Sequence, residues 1–162
     1  MDPILDLIQK HRGNGLLVDT NLLVLLLVGT VNPNRIAQFK RTSKYSIEDF
    51  ATLQGIVMQF QRRFATPQIW AEVNNLTDLE GKELVSVREA LRTQMQIVNE
   101  HYQPAAVLGE HPAYARLGLT DASICDLSQN PMLVVTDDIA LHVWLTSHAV
   151  DSINFTYMRS FI

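Results

Sequence analysis

Four acidic residues stand where carboxylates are hard to place, at the margins of apolar runs. Asp19 follows Leu16-Leu17-Val18, and Glu72 follows Pro67-Gln68-Ile69-Trp70-Ala71. Asp121 precedes Ala122-Ser123-Ile124-Cys125, and Asp138 follows Leu133-Val134-Val135-Thr136-Asp137. A carboxylate beside a buried strand or at a helix start is unfavourable unless something compensates its charge. Four of them, spread along most of the chain, read as one site assembled from distant segments. The natural compensation is a hard divalent cation. Mg²⁺ and Mn²⁺ prefer oxygen ligands and keep several waters. A cation held in this way lowers the pKa of its water and neutralises a phosphoryl oxygen, which suits phosphodiester hydrolysis. No Ser-His-Asp or Cys-His arrangement is needed.

The elements that must position these acids follow from periodicity and caps. Asp2-Pro3 reads as an N-cap with proline in the first turn, and Gly13 as a stop, so residues 3–12 form a helix. Residues 16–18 form a short buried strand, and Thr20 or Asn21 opens a helix that runs to Gly29. Asn32-Pro33-Asn34 is a turn. Ser46 caps a helix over 47–64, with Phe50, Leu53, Val57 and Phe60 at helical spacing. Thr66-Pro67 caps the next helix, which carries Ile69, Trp70, Val73 and Leu76. A further helix covers 81–101, with Glu80, Glu83, Arg88, Glu89 and Arg92 on a solvated face. Residues 103–112 read as a looser segment, 112–117 as a short helix and 121–129 as another helix. Strand 132–136, helix 138–147 and strand 153–157 complete the chain. Strands alternating with helices predict an α/β fold: three-layer α/β/α with a central, mainly parallel sheet. In such sheets the ligand cleft lies beyond the carboxyl ends of the strands, where Asp19 and Asp138 fall.

Composition bounds the reading. The chain has 162 residues, 47% of them hydrophobic, which suits one domain with a substantial core and leaves little room for a second. We assign a single domain over 1–162, with 1–13 as an N-terminal helical extension. The single cysteine, Cys125, excludes an internal disulfide and a thiolate metal site, and fits a reducing compartment. The apolar run 22–28 falls well short of the roughly 20 residues needed to span a bilayer. Met1-Asp2-Pro3-Ile4 lacks the basic stretch of a signal peptide. The expectation is a soluble, cytoplasmic protein with no membrane partner. A net charge of −4 argues against a general polycation, although the four acids of the site account for much of it.

Four segments resemble, in order, the motifs of the PIN-domain nuclease family: Leu17-Val18-Asp19-Thr20-Asn21-Leu22-Leu23, Thr66-Pro67-Gln68-Ile69-Trp70-Ala71-Glu72-Val73, Leu119-Thr120-Asp121-Ala122-Ser123, and Val134-Val135-Thr136-Asp137-Asp138. The similarity runs from about residue 16 to the carboxyl terminus. It implies a parallel sheet flanked by helices, and metal-dependent cleavage of single-stranded or structured RNA. By position, Asp19, Glu72, Asp121 and Asp138 would be the Mg²⁺ or Mn²⁺ ligands, with Asn21 and Thr136 as supporting polar residues. Successive side chains diverge, so Asp137 and Asp138 cannot both face the cation. The Thr-x-Asp spacing favours Asp138 and leaves Asp137 as the alternative. The expected partner is RNA; an inhibitory or regulatory protein and a homodimer are both compatible with the resemblance.

Each acid also has a plainer role. Asp19 and Asp121 suit N-caps, Glu72 suits a helix surface, and Asp126 a solvated position. The cluster Arg35, Lys40, Arg41 and Lys44 reads either as a solvated face or as a phosphate-tracking arm. Cys125 and Trp70 read as core, and Trp144 as core or a base-stacking ring. Two other functions compete with a nuclease. One is a catalytically silent PIN fold that binds RNA or a protein. The other is a haloacid-dehalogenase-type phosphatase, whose second Asp, two residues after the first, is replaced here by Asn21.

Overall fold

The computed structural model describes residues 2–159. Five parallel strands form one sheet: β1 (Leu16–Val18), β2 (Arg63–Ala65), β3 (Asn99–Glu100), β4 (Leu133–Thr136) and β5 (Ser152–Asn154), in the spatial order β3-β2-β1-β4-β5. Ten helices among the described residues surround it in a three-layer α/β/α arrangement. They are α1 (Pro3–His11), α2 (Thr20–Val31), α3 (Ile47–Val57), α4 (Pro67–Leu76), α5 (Gly81–Ile97), α6 (Ala105–Gly109), α7 (Tyr114–Leu117), α8 (Leu119–Leu127), α9 (Ile139–Ser147) and α10 (Phe155–Arg159).

β1 and β4 are buried at every residue, as expected of central parallel strands covered on both faces. Leu16 pairs with Arg63 on one side and with Leu133 on the other. From β1 the chain builds outwards through β2 to β3, then returns to place β4 on the opposite side of β1. The strand order therefore reverses between β1 and β4, the position at which open parallel sheets leave a crevice. Asp19 leaves β1 there, and Asp137 and Asp138 leave β4.

Several elements differ from the sequence expectations. The helix expected over 47–64 ends at Val57, and 63–65 is β2. The spacing of Val57, Phe60 and Phe64 imitates a helix, whereas Leu16 and Leu17 pair with this segment through the backbone (Leu16 N–H donates to Arg62 O at 3.0 Å). The helix expected over 81–101 ends at Ile97, because 99–100 pairs with β2 as a two-residue edge strand. Its side chains are exposed, so it carries no apolar pattern at all. The strand expected over 153–157 stops at Asn154, whose carboxamide oxygen accepts from Thr156 N at 3.0 Å and starts α10. The looser segment also contains α6, and α8 begins two residues earlier than expected, at Leu119.

The amino-terminal helix is part of the core rather than an appendage. Ile8 and His11 are buried, and Asp151 accepts from Lys10 Nζ and pairs with His11 Nε2, both at 2.7 Å. α2 is apolar around its circumference and packs against α3, α4 and α5. No described helix is long and apolar enough to cross a membrane.

Gly29, read from sequence as the end of α2, instead lies inside it. A Cβ there would sit 2.4 Å from the Phe50 ring of α3, so glycine permits the two helices to approach. Gly55, inside α3, faces nothing within 4 Å. Gly29→Ala should therefore destabilise the fold by about 1–3 kcal/mol through overpacking. Gly55→Ala should stabilise it by roughly 0.5–1 kcal/mol through helix propensity alone. Urea unfolding of both variants checks this, and equal effects would remove the close approach as the reason for Gly29.

Candidate metal centre

The crevice between β1 and β4 is a cavity of about 360 Å³ lined by Asp19, Asn21, Glu72, Asp121 and Asp138, together with Thr20 and the 117–120 segment. Four different elements deliver the four acids. Asp19 is the N-cap of α2, and Glu72 projects from α4. Asp121 lies in the first turn of α8, and Asp138 is the N-cap of α9. Gly118, with φ +89°, supplies the turn that lets α7 pass directly into α8 beside the cavity.

Asp19 is only 5% exposed and is tightly held. Its Oδ1 accepts from Thr20 N at 2.7 Å and its Oδ2 from the Thr136 hydroxyl at 2.6 Å. Because that hydroxyl donates its one proton to Asp19, Thr136 Oγ1 is free to accept from Asp138 N at 3.0 Å. Thr136 thus joins the first and last acidic segments through a single atom. Asp138 Oδ1 in turn caps α9 by accepting from Leu141 N at 3.1 Å.

A second chain of hydroxyls positions the other two acids. Ser123 Oγ donates to Thr120 O at 2.6 Å, so its contact with Thr66 Oγ1 at 2.8 Å has Thr66 as the donor. Thr66 Oγ1 also accepts from Ile69 N at 3.2 Å, capping α4. The starts of α4 and α8, which carry Glu72 and Asp121, are thereby locked together. Asp121 is not an N-cap: it sits inside the first turn, and among the described residues no donor reaches its carboxylate.

The two carboxyl groups deepest in the cavity are shifted upwards. Burial, then the charges of Asp19, Asp138 and Glu72, push Asp121 up to about 7. Burial also pushes Asp19 up to about 6; Asp137 and Asp138 add to the rise, while the bonds from Thr136 and Thr20 oppose it. Cys125, one turn beyond Asp121, is pushed up to about 12 by burial and by Asp121, so it remains a thiol.

Asp137 points elsewhere. Its side chain is only 2% exposed and accepts from Lys44 Nζ at 2.8 Å and from the Tyr45 hydroxyl, with Asn21 Nδ2 at 3.4 Å. Of the adjacent pair, only Asp138 lines the cavity. Tyr45, which sequence reasoning did not single out, is half of what holds Asp137 in place, and its burial has no local signature beyond its position after Lys44.

The basic cluster is largely engaged within the protein. Arg35 Nε lies 3.3 Å from Glu83, without an aligned hydrogen bond, and Lys40 Nζ lies 3.1 Å from Asp78. Arg41 is exposed and close enough to Asp78 to help hold that carboxyl below its usual range, after the larger effect of Lys40. Lys44 pairs with Asp137, which neighbours the cavity residue Asn21. Exposed pairs such as Lys40–Asp78 are screened by solvent and can exchange for a phosphate, but they are not a ready-made basic groove.

The donor chemistry fits a hard cation: oxygen donors only, two of them raised in pKa by burial and then by neighbouring carboxylates, and Asp121 without an internal partner. No three Asp, Glu, His or Cys side chains among the described residues converge as a closed ligand cage. That spacing suits a hydrated ion bound directly by one or two carboxylates, with water reaching the rest. No protein-family model matches the chain, and no curated protein matches its sequence.

The raised pKa values fix the sign of a pH dependence. Asp19 and Asp121 ionise near their usual values when unfolded and near 6 and 7 when folded. Their stabilising protonation is complete below about pH 4 and is lost as pH rises to 7, a change on the order of a few kcal/mol. Apart from general acid effects, the metal-free protein should lose stability between pH 5 and 7.5. Asp121→Asn should flatten that slope, and an unchanged slope in urea titrations would refute the crowding. Thr136→Val should cost about 1–3 kcal/mol in the same experiment, by leaving a buried oxygen of Asp19 without its donor.

Proposed function

We propose that the protein is a divalent-cation-dependent endonuclease that hydrolyses phosphodiester bonds in single-stranded or structured RNA. The observation that carries the reading is the convergence of four carboxylates, from four separate elements, on one cavity at the point where the strand order reverses. A structural role alone gives no reason to gather mutually repelling charges in a solvent-open crevice.

A Mg²⁺ or Mn²⁺ bound there supplies a lowered water pKa and neutralises charge on the scissile phosphate. Asp19, Glu72, Asp121 and Asp138 are the residues that would hold it. Asp19 is oriented by two hydrogen bonds, so it presents a fixed carboxylate without reorganisation. Asp121 has no internal donor, so its oxygens stay open to a cation, a water or a proton. Asn21 lines the same cavity and offers a carboxamide donor to a phosphate oxygen. The four segments that resemble PIN-type motifs support the same reading, that of a PIN-type nuclease acting on RNA in the cytosol. The competing reading is a catalytically silent RNA- or protein-binding fold, and the absence of a closed ligand cage is what favours it.

Release of fluorescence from a quenched RNA oligonucleotide should depend on Mn²⁺ and exceed any hydrolysis of p-nitrophenyl phosphate. Asp19→Asn and Asp138→Asn should each lose at least about 100-fold in rate while remaining folded. Asp137→Asn should keep most activity but melt lower, because it weakens the contacts to Lys44 and Tyr45. The reverse ranking of the last two would show that the wrong acid has been assigned. No cleavage by the wild type, together with retained RNA binding, would favour the silent fold.

Metal linkage gives a check that needs no substrate. Mn²⁺ at 100 times its dissociation constant should stabilise the wild type by about 2.7 kcal/mol. Binding should weaken below pH 7, because the cation must displace protons. Asn caps a helix as well as Asp does, so Asp138→Asn should keep α9 while relieving repulsion. It should melt higher than wild type in EDTA and gain less from Mn²⁺, whereas a change at the exposed Glu89 should alter neither value. Equal Mn²⁺ shifts in wild type and Asp138→Asn would exclude Asp138 as a ligand.

A further inference from the structure

A second cavity, of about 430 Å³, opens between α2, α3, α4 and α5, away from the acidic crevice. Its walls are mostly aliphatic and aromatic, including Leu23, Leu26, Val57 and Phe60. Two of its polar groups are out of keeping with those walls. Trp70 is only 5% exposed, and its indole Nε1 is buried with no acceptor. A buried N–H left unpaired costs about 1–3 kcal/mol. Arg63, on β2, is half-buried, and Gln94 Oε1, at 2.7 Å, is the one acceptor for its guanidinium among the described residues. Burial holds that guanidinium below its usual range, and no acid lines the cavity. A guanidinium has five N–H donors, so most of its capacity is unspent.

We propose that this cavity binds a small amphipathic carboxylate, with its apolar chain among the leucines of α2 and its head group on the Arg63 guanidinium, beside Trp70. The volume lies in the range of ordinary small-molecule sites. The charge requirement selects the ligand: an anionic head pairs with the unspent N–H donors of Arg63, whereas an alcohol bonds them weakly and a cation is repelled by Arg63. A forked guanidinium also matches the two oxygens of a carboxylate. Trp70 and Glu72 share α4, and Leu23 and the Asp19 cap share α2, so an occupant would press on two of the elements that carry the acids. The binding proposal is independent of the nuclease reading.

The full-length chain, labelled with ¹⁵N, tests it. Decanoate, decanol and decyltrimethylammonium are titrated below their micelle-forming concentrations while the Trp70 indole resonance, assigned with Trp70→Phe, is followed. Decanoate should shift that resonance saturably, decanol should bind more weakly and the ammonium compound should not bind. Arg63→Gln should weaken decanoate at least about tenfold and leave decanol unchanged. The same variant should keep the wild-type rate of Mn²⁺-dependent RNA cleavage, if there is one. Should Arg63→Gln fail to fold, the head-group series on the unmodified chain decides alone. Equal binding of all three compounds, or no saturable shift with decanoate, overturns the proposal. So does a shift produced by an acidic amphipathic peptide but not by decanoate, which would make the cavity a protein-docking groove.

Discussion

Everything around the acidic crevice depends on burying one carboxylate, that of Asp19, at the centre of the sheet. Desolvation there opposes ionisation, and two bonds offset part of that penalty: the Thr20 N–H at the start of α2 and the Thr136 hydroxyl at the end of β4. Because the Thr136 oxygen also receives the Asp138 N–H, the position of Asp19 and the exit of the chain from β4 are set together. A displacement of either strand would leave a buried charge without its donor. The central pair of strands is therefore held in register by this contact as well as by backbone pairing.

Around that fixed point the protein separates rigid acids from free ones. Asp19 and Asp138 are helix caps, and Asp137 is bound by Lys44 and Tyr45, so each of these has a structural claim on its oxygens. Glu72 and Asp121 have none among the described residues. A site of this type, with part of its ligand set preorganised and part left open, can take up a hydrated ion without breaking the fold. Burial raises Asp121 most and the neighbouring carboxylates add to it; that added repulsion is what such an ion would relieve.

The same economy of contacts explains the surroundings. Arg159 of α10 stacks over Tyr45 and pairs with Asp49, whose carboxylate completes the capping box of α3. The segment that leads from α2 to α3 is thus tied at its end to the carboxyl-terminal helix, and Asp137 lies beneath it. Trp70 and Arg63, which line the second cavity, show the opposite condition: an indole N–H that the fold buries without an acceptor, and a half-buried guanidinium with Gln94 as its one partner among the described residues.

What the sequence determined by itself is the part encoded in side-chain pattern. The buried runs at 16–18 and 132–136, the caps Asp2, Ser46 and Thr66, and the acids at the margins of apolar segments can each be read from a few adjacent residues, because solvent exclusion and capping are local requirements. Only tertiary structure decided the rest. β2 and β3 have two or three residues each, and their pairing comes from backbone groups that every sequence shares, so helical spacing in the flanking residues concealed them. The Thr-x-Asp spacing already favoured Asp138 over Asp137 as the cavity acid; what folding adds is the anchor of Asp137, on Lys44 and Tyr45 nearly a hundred positions away in the chain. The engagement of the basic cluster by Glu83, Asp78 and Asp137 likewise depends on residues brought close only by folding. Gly29 looked like a helix end because glycine often is one; its reason for being there, the Phe50 ring, belongs to another helix.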